Sequence, residues 1–441
     1  MKTTKFFLMA ALALTFAACS NDDNDIQTSA QQPQKAEGIP FTATISIGES
    51  ASTRALTEIG TTIEATWADD EEVALIYDAG GTPTKTDATV TKQTDGTATI
   101  SATLASGATD GSDVTIIYPA TAADGTTGNV KANVLAAQDG TLTGGGNSIA
   151  EKYDVRKGTG KLSISGGTAT VNNGTAGTPV SLINQNAIFK LTLKDIDGTA
   201  DVSATSVKIY NQENTLLTTV TPASGYEEVM YVALPTTATT LKFSVTDGTT
   251  NYFNMASGLS LSASYYQSTI KLATVGDVIL SSGKCAKAGT TGAVAMIAYL
   301  GNGSDCTNGL AIQLNGSPES KKWKDGDNYP AEAYATGLNT SLAIPGGTWR
   351  LPSKADWQNM FLGCAVSGDA SDGDYMDPIA GFKAKIAATG ITWQSDRYWS
   401  STPSGSFAWF VFVFLYGSFA LAYFYEVDTS YSIDVLGCLA F

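Results

Sequence analysis

Between Gly405 and Phe424 the chain runs almost without a polar group. A stretch of that length and apolarity has few outcomes: a bilayer-crossing helix of ~20 residues, or two strands folded back on each other. Three features favour the strands. The stretch is packed with aromatic and β-branched residues, Gly417 interrupts it, and no Lys or Arg follows Arg397 to flank a membrane helix. Read as a hairpin, Trp409, Val411, Val413 and Leu415 share one face of the first strand, and Phe410, Phe412 and Phe414 share the other. Tyr416-Gly417-Ser418 makes the turn, after which Phe419, Leu421 and Tyr423 alternate with Ala420, Ala422 and Phe424. One face can pack on a core. The second leaves a row of rings that is either a binding surface or an aggregation hazard.

The rest of the chain is also strand-like. Its 441 residues exceed one ordinary domain and fit two or three. From Phe41 onward, short β-branched segments are separated by turn dipeptides. Asp95-Gly96, Gly166-Gly167 and Asp247-Gly248 each sit inside an alternating pattern and read as two-residue hairpin turns, because Gly permits the positive φ such turns need. Further strands are expected at Val73–Tyr77, Val114–Tyr118, Ile188–Leu193, Val207–Tyr210 and Val229–Leu234. That spacing predicts one or two β-sandwiches. A net charge of -16 argues against nucleic acid as a partner, and the absence of His removes imidazole catalysis and imidazole metal ligation.

The first residues carry an address. Lys2 and Lys5 precede an apolar run, Phe6 to Ala18, of signal-peptide length. Its end, Phe16-Ala17-Ala18-Cys19, resembles the lipobox of bacterial lipoproteins, which implies removal of residues 1–18 and lipidation of Cys19. The acidic cluster Asn21-Asp22-Asp23-Asn24-Asp25 is similar to the surface-export signal of Bacteroidetes lipoproteins. Residues 19–39 are polar and aperiodic and read as a flexible tether. The resemblance implies a cell-surface, outer-membrane lipoprotein held by its lipid.

Ala65-Thr66-Trp67-Ala68-Asp69-Asp70 before Val73–Tyr77, Ile117-Tyr118-Pro119, Asn186-Ala187-Ile188-Phe189-Lys190-Leu191, Tyr231-Val232-Ala233-Leu234-Pro235 and Tyr265-Tyr266 together resemble the fimbrillin family of lipoprotein pilins. The resemblance implies two transthyretin-like β-sandwiches, over 40–175 and 176–273. It also implies a protease cut after an Arg, for which Arg54 in Ser52-Thr53-Arg54-Ala55 is the candidate. Such a cut would release a strand and open a groove for donor-strand exchange with other pilin subunits.

Composition changes near 274–277. Six of the seven tryptophans (Trp323, Trp349, Trp357, Trp393, Trp399 and Trp409) lie beyond that point. Trp349-Arg350-Leu351-Pro352-Ser353 leads into Lys354–Leu362, where Ser353 is a candidate N-cap and Asp356 stands at N3, with Trp357, Met360 and Phe361 on one helical face. With Tyr398-Trp399-Ser400-Ser401-Thr402 and the terminal Cys438-Leu439-Ala440-Phe441, the order resembles an α+β C-type-lectin-like domain of the formylglycine-generating-enzyme type, over 277–441. It is similar above all to the variable proteins of diversity-generating retroelements. In that group, template adenines are replaced and AAC-type codons mark variable sites. Phe407, Phe410, Phe412, Phe414, Phe419, Leu421, Tyr423 and Ile433 can each be encoded by an AAC codon changed at its adenines alone, so they are expected to form a diversified ligand face. Ala408, Trp409, Val411, Val413 and Tyr416 are expected as fixed scaffold.

With Cys19 lipidated, Cys285, Cys306, Cys364 and Cys438 remain, an even set that suggests two disulfides in an exported protein, with three pairings open. The pairing adopted joins Cys364 to Cys438 and Cys285 to Cys306. Asp369, Asp372, Asp374 and Asp377 form an acidic loop that is a weak Ca²⁺ candidate, with a solvated turn preferred. No cofactor and no enzymatic activity are expected. The expected role is a surface or pilus-tip adhesin that binds a protein or glycan ligand through the C-terminal domain. The alternative is a structural fimbrial subunit, with that domain as a passive cap.

Overall fold

The computed structural model describes residues 38–47, 56–60, 62–64, 66–131, 135–175, 177–225, 227–302, 306–314, 319–369, 373–391, 393, 396–416 and 419–441. Cys19, Arg54 and Asp372 lie outside these residues. The described chain is mainly β, with three α-helices: α1 (Pro330–Ser341), α2 (Lys354–Gly363) and α3 (Ala380–Ala388). Every strand expected above is present.

The first module begins with Ile39–Ile47, in which Phe41, Ala43, Ile45 and Ile47 point inward by strict alternation. This strand pairs antiparallel with Thr97–Leu104 on one side and parallel with Thr168–Asn172 and Val180–Asn184 on the other. Those strands pair in turn with Arg156–Ser165, and the ladder continues through Asp113–Tyr118, Glu72–Ala79 and Thr82–Lys92 back to Thr97–Leu104. The hydrogen-bonded circuit therefore closes around one core, so the module is barrel-like and not a pair of separate sheets. Closure brings Arg156–Ser165 tight against its neighbours. A Cβ at Gly158 would lie 2.6 Å from the Ser181 carbonyl oxygen, and one at Gly160 would lie 2.7 Å from that of Asn172. The strand Val180–Asn184, expected in the second sandwich, pairs entirely within the first.

Of the three turn dipeptides, Gly166-Gly167 makes the two-residue loop, with φ of 60° and 82°. The other two loops are longer. Asp95 accepts from Thr97 N, and Asp247 accepts from Thr249 N and Thr250 N, so each aspartate side chain closes a wider turn.

The second module is a two-sheet sandwich. Val229–Pro235, Asn186–Asp195 and Tyr265–Leu272 form one sheet. Asn251–Ser257, Thr240–Thr246, Ser206–Tyr210, Leu216–Val220 and the short Ala137–Gln138 form the other. Ala137–Gln138 reaches in from the first module. Its buried Gln138 amide donates to the Ala233 carbonyl (2.8 Å) and accepts from Ala233 N (2.8 Å), joining the two sheets.

The last module has two six-stranded sheets, with α2 and α3 packed in the core they share. Cys438–Ala440 runs buried between Gly309–Gln313 and Thr348–Arg350. The expected capping box is present. Asp356 N donates to Ser353 Oγ (3.1 Å), and Ser353 N donates to Asp356 (2.7 Å). Arg350 grips the same carboxylate through both terminal nitrogens, which explains the spacing of Arg350, Ser353 and Asp356. The tryptophans are structural: the indole N–H groups of Trp323, Trp349, Trp357 and Trp399 each donate to a main-chain carbonyl. Among the described residues no helix is long and apolar enough to cross a membrane.

The expected disulfides do not form: Cys285, Cys306, Cys364 and Cys438 are thiols. Cys285 packs on one side of the sheet with Ile279 and Ala295, whereas Cys306 packs on the other with Met296 and Leu310. Cys364 donates to the Ala298 carbonyl, and the strand Gly309–Gln313 lies between Ala298 and the strand of Cys438.

Candidate functional site

The Gly405–Phe424 stretch is a hairpin. Phe407–Tyr416 pairs antiparallel with Phe419–Asp428 without a break in register, from Phe407↔Asp428 to Tyr416↔Phe419. Alternation then sorts the side chains. Val411, Val413, Ala420, Ala422 and Phe424 are buried against α2 and α3, and Trp409 and Leu415 pack at the margin of the same core.

The opposite face carries Phe410, Phe412, Phe414 and Tyr416 on the first strand and Leu421, Tyr423 and Tyr425 on the second. Cross-strand register places Phe410 beside Tyr425, Phe412 beside Tyr423 and Phe414 beside Leu421. The rings form a ribbon, with centroids 5.7 Å apart for Phe410–Tyr425, 5.8 Å for Tyr423–Tyr425 and 6.2 Å for both Phe412–Phe414 and Phe414–Tyr416. Tyr375, on the short strand Tyr375–Met376 at the sheet edge, extends the ribbon and lies 4.4 Å from Tyr423. At the other end the ribbon is roofed: Trp399, Ala408, Ile433 and Val435 are buried beneath α1, with Phe410 at the boundary.

Phe410, Phe412, Phe414, Leu421 and Tyr423 thus lie together on an outward face, each half-buried by its neighbours. Two expected members fall elsewhere. Ile433 is 4% exposed, because alternation in Ser432–Val435 turns it under α1 with Val435. Phe407 is 45% exposed, but it has the parity of Trp409 and so lies on the other face at the far end of the strand. Phe419 pairs through its backbone with Tyr416, and its side chain lies outside the described residues. Three ribbon residues were not foreseen: Tyr375, Tyr416 and Tyr425. Tyr416, expected as scaffold, is 72% exposed, and Tyr425 is 49% exposed. Carrying the alternation two residues past Tyr423 finds Tyr425. Nothing local marks Tyr375, which arrives by tertiary pairing.

The acidic loop does not converge on a point. Asp369 accepts from Ala380 N (3.0 Å) and Gly381 N (2.8 Å) at the start of α3, Asp374 pairs with Lys354 (2.6 Å), and Asp377 accepts from the Tyr375 hydroxyl (2.7 Å). Among the described residues no group of His, Cys, Asp or Glu could hold a metal ion. Asp369 therefore caps α3, and the three described aspartates take separate partners, Asp372 lying outside the described residues. The bond to Asp377, together with contact to Tyr423, pushes the Tyr375 phenol well above its ordinary range, with Tyr423 the larger cause.

A second polar cluster lies far from the ribbon. Glu58, on the strand Thr57–Ile59 beyond the first barrel strand, docks on the second sandwich. It accepts from Lys190 Nζ (2.7 Å), the Tyr231 hydroxyl (2.5 Å), the Tyr265 hydroxyl (2.8 Å) and Gln267 Nε2 (3.0 Å). Lys190 leads these partners in holding the Glu58 carboxyl down at about 2.

No family model matches the chain, and no curated protein matches it. Among solved structures it is similar to a fimbrial assembly protein from Parabacteroides distasonis, with 14% identity over 59% of this chain and 94% of that chain and a TM-score of 0.30. It is similar to a presumptive cell adhesion protein from Bacteroides fragilis, with 14% identity over 54% of this chain and 94% of that one and a TM-score of 0.28. It is also similar to a shaft pilin from Lactobacillus rhamnosus GG, with 11% identity over 54% of this chain and 98% of that one and a TM-score of 0.21. Overlaps of this depth assign neither a shared fold nor a function.

Proposed function

We propose that this chain is an adhesin: a surface-displayed or fimbrial lipoprotein whose C-terminal, lectin-like module presents the aromatic ribbon to a ligand. One observation carries the reading. The hairpin is apolar on both faces, and the inner face alone completes the core. Among the described residues nothing roofs the outer rings of Phe412, Phe414, Tyr416, Tyr423 and Tyr425, which are half-buried or exposed. Covering one such ring contributes ~1.5–3 kcal/mol, and aromatic residues dominate binding hot spots. Several together can anchor a partner after the costs of association are met.

In this reading the outward Phe410, Phe412, Phe414, Leu421 and Tyr423 are diversified on a fixed backbone, while Val411 and Val413 hold the core. Cys19 carries the lipid that keeps the protein at the outer membrane. Sequencing the 3′ end of the gene in several isolates, together with any adjacent near-repeat and reverse transcriptase, tests it. The expected result is substitution concentrated at the outward positions, with Val411, Val413 and Trp399 constant. Even drift along the module overturns it.

The first barrel strand favours a second, compatible role as a fimbrial subunit. Ile39–Ile47 is paired on both edges and fills the core with Phe41, Ala43 and Ile45. A cut at Arg54 that freed this strand would leave an apolar slot for the strand of a neighbouring subunit.

A further inference from the structure

Resting on the reading of the hairpin as a binding face, we propose that its occupant is an apolar protein segment carrying an Asp or Glu, whose carboxylate pairs with Arg397 while the flanking side chains cover the rings. Three observations converge on it.

The first is where Arg397 stands. Its neighbour Tyr398 is buried in the core of the module, so alternation along Asp396–Ser404 turns Arg397 outward, onto the face of the ribbon. Register sets Arg397 opposite Phe412, Phe412 opposite Tyr423, and Tyr423 opposite Tyr375. One row thus crosses four strands, with an exposed guanidinium at its head and three rings behind it. A carboxylate seated on Arg397 brings its neighbours in the partner onto those rings. The carboxylates along the hairpin belong to the other face: Glu426 is opposite Trp409, Asp428 is opposite Phe407, and Asp374 is bound to Lys354. At the far end of the row, Asp377 already accepts from the Tyr375 hydroxyl (2.7 Å).

The second is that Arg397 makes no ion pair among the described residues. Carboxylates are in surplus, with 42 Asp and Glu against 26 Lys and Arg. Elsewhere in the module Lys321 pairs with Glu319 (2.6 Å), Lys354 with Asp374 (2.6 Å), and Arg350 with Asp356. Asp434, on the neighbouring strand, senses the charge of Arg397 without pairing to it. The planar guanidinium can take a carboxylate through two parallel hydrogen bonds. Covering the rings beside it excludes water from that pair and strengthens it. The net charge of -16 is spread over the whole chain and is screened beyond ~8 Å at physiological salt, so Arg397 decides the contact.

The third is what surrounds the guanidinium. Phe410, Phe412, Phe414, Leu421, Tyr423 and Tyr425 offer two phenol hydroxyls between them and no other polar side-chain group. A sugar brings a ring of hydroxyls that need matched polar partners, and sites for small ligands are concave, whereas the ribbon is the open face of a sheet. A protein segment covers such a face with apolar side chains and needs one strong polar bond to fix its register, which Arg397 supplies. Tyrosine, phenylalanine and arginine together make the composition of protein interface cores.

The test uses the full chain and short labelled peptides in which Leu alternates with Glu, with Gln or with Lys, read by fluorescence anisotropy alongside a glycan array. The expected result has four parts. The Glu peptide binds about tenfold or more tightly than the Gln peptide, and the Lys peptide binds worst. Arg397→Gln removes the difference between the Glu and Gln peptides while the urea midpoint stays in place. Arg397→Glu reverses the preference in favour of the Lys peptide. Combined Phe412→Ala and Tyr423→Ala substitution weakens the Glu peptide about tenfold or more. Equal, ring-dependent binding of the Glu and Gln peptides overturns the acidic partner and leaves the binding face standing. A preference for Glu that survives Arg397→Gln overturns the role of Arg397 and with it the proposal. Ring-dependent binding to glycans and not to peptides overturns it in favour of a sugar. If no peptide or glycan binding depends on the rings, the binding face itself falls.

Discussion

The rings of Phe253 and Phe441 lie 4.3 Å apart and come from different modules. Phe253 belongs to the strand Asn251–Ser257 of the second sandwich, and Phe441 follows the buried strand Cys438–Ala440 of the last module. Around them Met255, Ala273, Ile279, Trp349 and Leu439 form one buried cluster. A junction packed like a core is a weld and not a hinge, so the ribbon is held at a fixed orientation to the sandwich beneath it.

Phe253→Ala opens a cavity at this weld. The expected loss is ~3–5 kcal/mol, as for other buried Phe truncations. Calorimetry should show more than cost: the last module and the second sandwich, melting together in the parent chain, should melt apart in the variant. A single unshifted transition would rule out the coupling.

Glu58 predicts a pH signature. Its carboxyl sits at about 2 in the folded chain, against an ordinary 4.5. A depressed carboxyl adds stability that is complete above about pH 4.5 and fades as pH falls towards 2, where the folded state must also take up the proton. Glu58→Gln should lower stability by about 2 kcal/mol at neutral pH, typical of hydrogen bonds to a charged group, and flatten the profile between pH 2 and 5. Urea midpoints across that range measure both effects. Parallel profiles for the parent and Glu58→Gln would show that Lys190, Tyr231 and Tyr265 do not depend on the charge.

The cysteines give a chemical test. Burial pushes the Cys364 thiol up to about 12 and raises Cys438 as well, so neither offers thiolate at neutral pH. A thiol reagent should react slowly with the native protein and fully once urea is added, and a reductant should leave the melting temperature where it was. A melting temperature that drops with reductant would restore the disulfides.

Local patterns carried much of this fold. Period-two alternation revealed the hairpin and its two faces, and Ser353 with Asp356 announced α2, because each signal is made by residues close in sequence. What depends on distant chain was hidden. The burial of Ile433 under α1, the arrival of Tyr375 beside Tyr423 and the closing of the first barrel all follow from tertiary pairing. The cysteine count misled for the same reason: an even number says nothing about which side of a sheet each thiol faces. The residue types that an AAC codon could yield picked out five ribbon positions but also Ile433 and Phe407, because residue type does not say which face of a strand a side chain takes.

The proposed binding face makes a last demand on stability, since residues kept for a partner should be dispensable to the fold. Phe412→Ala and Tyr423→Ala remove half-buried rings on the outward face, so each should cost about 1 kcal/mol or less. Val413→Ala, one residue from Phe412 but facing the core, should cost more, through the cavity it leaves against α2 and α3. Asp356→Ala should cost most, about 3–5 kcal/mol, because it strands Arg350 and uncaps α2 together. Urea unfolding of the four variants gives the order directly. If Phe412→Ala proved as damaging as Asp356→Ala, the outward rings would be serving the fold, and no ligand would be needed to explain them.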